Sequence, residues 1–209
     1  MSTKRLLDCT ARELSAYGKR ELLESIAGSE GRVLACETIG ITQPLLSDVT
    51  NAEYAASLSA DILLLNMFDV CHPVIQALPK VPEEETVREL KRLTGRVIGI
   101  NLEPVQPELA KNNDGTLWQM STGRLATAEN ARRAADMGVD LIVLTGNPGN
   151  GVSNETIVHA LREISAAVGN RVILAAGKMH ASGVAGEGGE HIMTAADAQA
   201  FMEAGADVI

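Results

Sequence analysis

The chain has 209 residues, of which 45% are apolar and only 2% are aromatic, and its net charge is −9. This length allows one large α/β domain, which we place over residues 1–209. The acidic charge argues against nucleic acid and against anionic membrane surfaces as partners. No apolar run reaches the roughly 18 residues of a membrane span. Small branched side chains must form the core, which suits parallel strands covered on both faces.

The start of the chain, MSTKRLLDCTARE, has no hydrophobic region typical of a signal peptide. Its three cysteines (Cys9, Cys36 and Cys71) fit neither a disulfide framework nor a CxxC metal site. We therefore expect a cytoplasmic protein with reduced thiols.

The first predicted element is a helical segment over residues 10–28. Thr10-Ala11-Arg12-Glu13 has the spacing of a capping box, in which the first and last side chains bond each other's backbone N–H groups. In a barrel, such a segment before the first strand would cover the bottom face.

Six short apolar runs follow, at 33–39, 62–67, 97–102, 141–145, 172–176 and 207–209, with amphipathic segments between them. Their starts are of two alternating kinds. The first, third and fifth runs each follow an arginine directly and begin with two aliphatic residues. The second, fourth and sixth follow a small residue and then an aspartate: Asp61, Asp140 and Asp207.

Alternating strands and helices predict a parallel sheet. We predict a parallel (β/α) barrel of the TIM type, because the alternation is regular and no GxGxxG follows the first strand. An open doubly wound sheet is the alternative. A TIM barrel needs eight strands. Because six are visible, we expect that the last two βα units are absent from this sequence and that it is a fragment of a longer chain.

Alternate residues of a strand share a face, and residues near the C-terminal strand ends line TIM-barrel active sites. In the third strand, Ile98, Ile100 and Leu102 must face the helices, so Asn101 and Glu103 face inward. The same reasoning predicts Glu37, Asn66 and Thr145 on the inward face of the first, second and fourth strands. On the fifth strand we predict Ala176, Lys178 and His180 inward.

This polar ring predicts an enzyme whose catalytic residues are Lys178, His180, Glu37 and Glu103. Lys178 would be a base, a Schiff-base former or a fixed cation for a substrate anion. His180 would be a general acid or base, a metal ligand or a loop residue. Glu37 and Glu103 would be acid–base partners or would form structural ion pairs with Lys178. Asn66, Asn101 and Thr145 would orient the substrate.

Two binding features complete the predicted site. Glu37, Asn66, Glu103 and His180 could together hold a divalent metal through oxygen and imidazole ligands. The loop after the fourth strand, GNPGNGVSN, precedes a helix that we expect to begin near Glu155 with Ser153 or Asn154 as its N-cap. Backbone N–H groups there would bind a phosphate, which makes substrate-binding candidates of Asn147, Gly149, Gly151 and Ser153. An ordinary loop rich in turn formers is the alternative.

The sequence NDGTL at 113–117 resembles the first motif of haloacid-dehalogenase phosphatases, DxDGTL. The position of the nucleophilic aspartate is occupied by Asn112, whose amide cannot form an aspartyl-phosphate. We therefore predict that the chain is not such a phosphatase.

Several stretches resemble a family of uncharacterised bacterial TIM-barrel proteins, some of which have a haloacid-dehalogenase-like name. They are residues 32–38, DILLLNMFDVCHP at 61–73, NLEP at 101–104, LTGNPGNGVS at 144–153 and AGKMHASG at 176–183. The resemblance implies a barrel and a sugar-derived substrate. The LTG segment is also similar, more weakly, to the BtpA family of barrel proteins linked to photosystem assembly.

The leading hypothesis is an enzyme with aldolase, lyase or isomerase chemistry on a small anionic, phosphorylated sugar-derived compound. A metal-dependent lyase or hydrolase at the same site is an alternative. A non-catalytic, BtpA-like binding or assembly protein is another. We expect a homo-oligomer in each case.

Overall fold

A computed structural model describes residues 3–105, 120–144, 152–177 and 193–209. Five parallel strands form one sheet in the order β1-β2-β3-β4-β5, so strands that follow each other along the chain also pair. Their bounds are β1 Ala35–Ile39, β2 Ile62–Asn66, β3 Val97–Leu102, β4 Leu141–Leu144 and β5 Ile173–Ala176. These strands fall within the predicted apolar runs. The sixth run contributes a single parallel bridge, from Val208 to Ala175 of β5.

Seven α-helices occur in the described ranges. They are α1 Ala11–Ala16, α2 Lys19–Gly28, α3 Asn51–Ser57, α4 Thr86–Thr94, α5 Ala128–Met137, α6 Asn154–Val168 and α7 Ala195–Glu203. The predicted capping box at Thr10 is confirmed, because Thr10 N–H donates to Glu13 and Glu13 N–H donates to the Thr10 hydroxyl. The segment over 10–28 forms two helices, with a break at Tyr17 and Gly18. None of the described helices is long and apolar enough to cross a lipid bilayer.

Two apolar clusters stabilise this sheet, one on each face. The larger one packs α3 to α7 against strand residues such as Leu65, Ile100 and Leu174. The smaller one packs Leu14 of α1 and Leu22 of α2 against the other face. It contains the first inward residue of four strands: Ile62, Val97, Leu141 and Ile173. The later helices therefore lie on one face, and the N-terminal helices cover the strand beginnings on the opposite face, which we call the inner face.

The aspartates that begin the even-numbered strands explain the alternation seen in the sequence. Each carboxylate accepts a hydrogen bond from a backbone N–H of the preceding strand segment, and each aspartate N–H donates to the carbonyl of that same residue. The pairs are Asp61 with Leu34, Asp140 with Ile98 and Asp207 with Leu174, with N–H to carboxylate distances of 2.8, 2.9 and 2.8 Å. This reciprocal pair sets the register between neighbouring strands.

Two of these aspartates, Asp140 and Asp207, form ion pairs, and Asp140 is the more buried of the two. Burial raises the pKa of Asp140 above its ordinary value, although the Lys91 ammonium and the Ile98 N–H act in the opposite direction. Lys91 Nζ lies 2.6 Å from Asp140 Oδ1. Asp207 has an equivalent partner, because Lys19 Nζ of α2 lies 2.8 Å from its carboxylate.

Candidate functional site

Three polar side chains meet on the inner face, where the middle of β1 adjoins the C-terminal ends of β2 and β3. Asn66 Nδ2 donates to Glu37 Oε1 at 2.9 Å, and Asn101 Nδ2 donates to Glu37 Oε2 at 3.1 Å. Strand pairing accounts for the contact, since Glu37 pairs with Leu64 and Leu64 pairs with Gly99. Asn66 and Asn101 come two residues after Leu64 and Gly99, so they lie on the same side of the sheet as Glu37. The predicted inward positions of these three residues are confirmed.

The two amides hold the Glu37 carboxylate in one orientation. Each of its oxygens accepts one amide hydrogen, so the plane of the carboxylate is set by two neighbouring strands. The side chain of Glu37 is nevertheless exposed, whereas Asn101 is 8% exposed. A fixed carboxylate that remains open to solvent can accept a proton from a bound molecule or hydrogen-bond to it.

Glu103 lies just beyond β3 and forms an ion pair with Arg124. The backbone joins the same two segments, because Glu103 N–H donates to the Arg124 carbonyl at 2.9 Å and Ala126 N–H donates to the Glu103 carbonyl at 2.9 Å. Both side chains are largely buried, so Arg124 neutralises the Glu103 charge within the protein. Of the two sequence interpretations of Glu103, the structural ion pair is favoured, with Arg124 as the partner where we had expected Lys178.

Arg124 was not predicted from the sequence. It is separated from Glu103 by 21 positions, and no spacing motif connects the two residues. The turn after β2 supports this segment: Val70 N–H donates to the Gly123 carbonyl at 3.2 Å. A Cβ atom on Gly123 would lie 1.8 Å from Asp69 Oδ1, so only glycine allows this close approach. Asp69 Oδ1 in turn accepts hydrogen bonds from the Cys71 and His72 N–H groups at 2.7 and 3.0 Å.

The prediction for the fifth strand was wrong at Ala176. Ala176 pairs with Leu144 and packs with the helices, whereas Ala175 pairs with Val143 and belongs to the inner cluster. Val172 to Ala176 are all apolar, so the sequence offers no contrast between the two faces. Lys178 and His180, which we had grouped with Ala176, lie outside the described residues.

Most of the predicted binding loop also lies outside the described ranges, namely Thr145, Asn147, Gly149 and Gly151. Ser153 is described, and it is the N-cap of α6: its hydroxyl accepts from the Thr156 N–H at 3.2 Å. The predicted start of this helix is confirmed. The Ser153 hydroxyl thus satisfies one backbone donor of the helix N-terminus itself.

The four residues proposed for a metal are only partly brought together. Glu37 and Asn66 are in direct contact, Glu103 is paired with Arg124, and His180 is outside the described ranges. Within those ranges, three or more His, Cys, Asp or Glu side chains do not gather as a metal-ligand group. Glu37 is instead contacted by the amide nitrogens of Asn66 and Asn101. The three cysteines carry free thiols.

Fold and site together define a parallel α/β protein with a polar cluster at the C-terminal edge of its sheet. The chain belongs to the family described as domain of unknown function DUF7916, whose model matches residues 7–209. A comparison with curated proteins gives no match.

Among solved structures, the chain resembles 2,3-dimethylmalate lyase, a member of the PEP mutase/isocitrate lyase superfamily, at a TM-score of 0.53 and 15% identity. The match covers 95% of this chain and 62% of the lyase, so the chain spans less than two thirds of the length of that enzyme. A second similar structure is QR15, an aldolase, at a TM-score of 0.48 and 15% identity, covering 95% of this chain and 83% of QR15. At 15% identity, the likeness to the lyase concerns the fold alone.

Proposed function

We propose that the sheet is the wall of a (β/α) barrel of the TIM type. A doubly wound sheet reverses its strand order at a switch point and has helices on both faces. Here the order does not reverse, and α3 to α7 all pack on one face. The N-terminal helices cover the strand beginnings, and active sites of TIM-barrel enzymes lie at the opposite, C-terminal ends. The fold similarity to 2,3-dimethylmalate lyase supports the same architecture.

We further propose that the protein is a lyase or isomerase with aldolase-type chemistry on a small anionic, phosphorylated sugar-derived compound. The observation that carries this proposal is the Glu37 carboxylate, held by Asn66 and Asn101 at the C-terminal edge where TIM-barrel enzymes have their active sites. The known activity of the lyase that shares the fold is compatible with this class of reaction.

The chemistry follows from a positioned proton acceptor. In a retro-aldol step, a base takes the proton of a hydroxyl group on the carbon β to a carbonyl. The bond between the α and β carbons then breaks, and its electron pair remains on the α carbon as an enolate. We assign the base to Glu37, because its two hydrogen bonds fix its direction while its side chain stays exposed.

Lys178 and His180 complete the proposal, because they come two and four positions after the last residue of β5 in the sequence. Lys178 is proposed as a Schiff-base former or as the cation for the substrate anion, and His180 as the acid that reprotonates the product. Glu103 is proposed as a structural partner of Arg124.

The test is a screen of the purified protein against sugar phosphates and hydroxy acids, followed by variants on any active compound. We expect Glu37→Gln to lower kcat by about 10²- to 10⁴-fold, the range of general-base catalysis. Glu129→Gln, on the exposed surface of α5, is the matched control and should keep full activity. Borohydride trapping of Lys178 tests the Schiff base. Full activity of Glu37→Gln would refute the assignment of Glu37 as the base. If the protein still performs its role in the cell after Glu37→Gln, a non-catalytic binding protein is favoured.

A further inference from the structure

One buried polar atom of the cluster has no hydrogen-bond partner among the residues that the structure describes. Asn101 is more than nine-tenths buried, and its Nδ2 donates to Glu37. Its Oδ1 is buried as well, and no donor among the described residues lies within hydrogen-bond distance of it. A buried carbonyl oxygen that gives up its hydration without gaining a hydrogen bond is unfavourable, and such atoms are rare in folded proteins.

The direction of this oxygen is dictated by its neighbour. An ionised carboxylate only accepts hydrogen bonds, so the NH₂ group of each asparagine must face Glu37. A flipped amide would bring oxygen against oxygen. The carbonyl oxygens of Asn66 and Asn101 are therefore both held on the sides of their amides that face away from the carboxylate.

Each amide uses one of its two N–H bonds on Glu37. The acceptors that the cluster offers to a bound molecule are the Asn101 carbonyl oxygen and the Glu37 carboxylate. Glu37 adds a negative charge, while the charge of nearby Glu103 is neutralised by Arg124. Such a surface repels phosphate and carboxylate groups and attracts groups that donate hydrogen bonds.

We propose that Asn101 Oδ1 and the Glu37 carboxylate bind hydroxyl groups of the substrate. This inference rests on the proposed function, and it divides the substrate between two places. The hydroxyl-bearing carbon chain lies against β1 to β3, and the anionic group is bound elsewhere on the C-terminal edge. Asn101 is then a specificity-determining residue, because a molecule without the hydroxyl leaves its oxygen unpaired.

A divalent cation is the other ligand that oxygen acceptors attract. The contacts favour a hydroxyl, because both Glu37 oxygens already accept an amide hydrogen, at 2.9 and 3.1 Å. A carboxylate oxygen with one hydrogen bond can accept another from a hydroxyl, and an amide oxygen beside it does the same without any added charge.

The experiment is calorimetric titration of the full chain with D-erythritol 4-phosphate, with n-butyl phosphate and with MgCl₂. The two phosphates have the same anion and the same number of carbons, and they differ in their hydroxyl groups. We expect D-erythritol 4-phosphate to bind about 10- to 100-fold more tightly than n-butyl phosphate. This is the range that hydroxyl hydrogen bonds to the charged Glu37 carboxylate and the neutral Asn101 oxygen allow. In Asn101→Leu this preference should fall to within about 3-fold, with butyl phosphate affinity unchanged.

Glu37→Leu is the second variant, because Glu37 is exposed, and it should also reduce the preference. Glu129→Gln should keep it. Thermal unfolding of every variant shows that the fold is intact. Equal affinity of the native chain for the two phosphates, or a preference that survives Asn101→Leu, would overturn the inference. Binding of Mg²⁺ alone that disappears in Asn101→Leu would overturn it in favour of a cation site.

These titrations need no turnover, so the inference and the proposed function fail separately. A hydroxyl preference that depends on Asn101, in a protein inactive in the whole screen, supports the inference and contradicts the proposed enzyme. Turnover that depends on Glu37 but is unaffected by Asn101→Leu supports the enzyme and overturns the inference.

Discussion

Removing the Asp140 carboxylate tests whether the aspartates at the starts of the even strands hold the sheet in register. Asp140→Ala takes away the acceptor of the Ile98 N–H, which is 2.9 Å from Asp140 Oδ2, and the partner of the Lys91 ammonium. Ile98 is fully buried, so no solvent replaces the lost hydrogen bond. Both groups are left in place without a partner.

The size of the effect follows from the exposure of those two groups. A buried N–H without an acceptor costs about 1–3 kcal/mol. Lys91 keeps about a quarter of its side-chain exposure, so loss of its ion pair adds no more than about 1 kcal/mol. We expect Asp140→Ala to lower the free energy of unfolding by about 2–4 kcal/mol. For a chain of this length that corresponds to a fall in Tm of about 5–15 °C.

Urea unfolding followed by circular dichroism measures this change, with Asp136→Ala as the matched control. The Asp136 side chain is 69% exposed and pairs with Arg171 at the surface, so its loss should cost less than about 0.5 kcal/mol. Asp61→Ala should cost less than Asp140→Ala, because its partner Leu34 is more than half exposed. The reasoning is refuted if Asp140→Ala matches the native chain, or if Asp61→Ala is the more damaging change.

Three further predictions concern pH and close packing. Because burial raises the pKa of Asp140, its stabilising effect is complete below the unfolded value of 3.8 and is lost as the pH rises. The native chain should therefore lose stability relative to Asp140→Asn as the pH rises above 3.8, measured by urea unfolding. The pKa of Glu13 is lowered to about 2, chiefly by its hydrogen bond with Lys4. The stabilisation by the Glu13 carboxylate is therefore lost as the pH falls from 4.5. Glu13→Gln should flatten the acid unfolding curve below pH 4.5. Gly123→Ala places a methyl group against Asp69 and should cost about 1–3 kcal/mol in urea unfolding.

Each of these has a result that contradicts it. A constant stability difference between the native chain and Asp140→Asn across the pH range would show that the carboxyl is not perturbed by burial. An unchanged acid midpoint in Glu13→Gln would show that the Glu13 carboxylate does not stabilise the fold. Gly28→Ala is the control for Gly123→Ala, since its new Cβ lies 3.9 Å from the nearest atom, in Arg5, and a similar loss in both would refute the steric argument.

Much of the architecture could be predicted because it depends on local patterns. Strand positions follow from apolar runs, and the helix starts at Thr10 and Ser153 follow from side chains that bond backbone groups within three residues. The inward face of β3 was predictable because Gly99 and Asn101 alternate with large aliphatic residues. Through strand pairing, that contrast also placed Glu37 and Asn66 correctly.

The candidate site was only partly predictable. The sequence indicated that Glu37, Asn66 and Asn101 share a face, but the spacing does not state that both amides donate to one carboxylate. It likewise offered two interpretations of Glu103, and the tertiary contact with Arg124 selects the ion pair.

By itself the sequence determined the alternation of strands and helices, the helix caps and the face of every strand whose two sides differ in polarity. Tertiary structure decided what local pattern does not encode. The face of β5 is one case, since its residues are apolar on both sides and only pairing with β4 orients Ala175 and Ala176. The aspartate repeat is another: Asp61, Asp140 and Asp207 were visible as a pattern, but their role depends on backbone groups that are 27, 42 and 33 positions away. Contacts between distant segments arise from packing of the whole sheet, and no short window of sequence contains both partners.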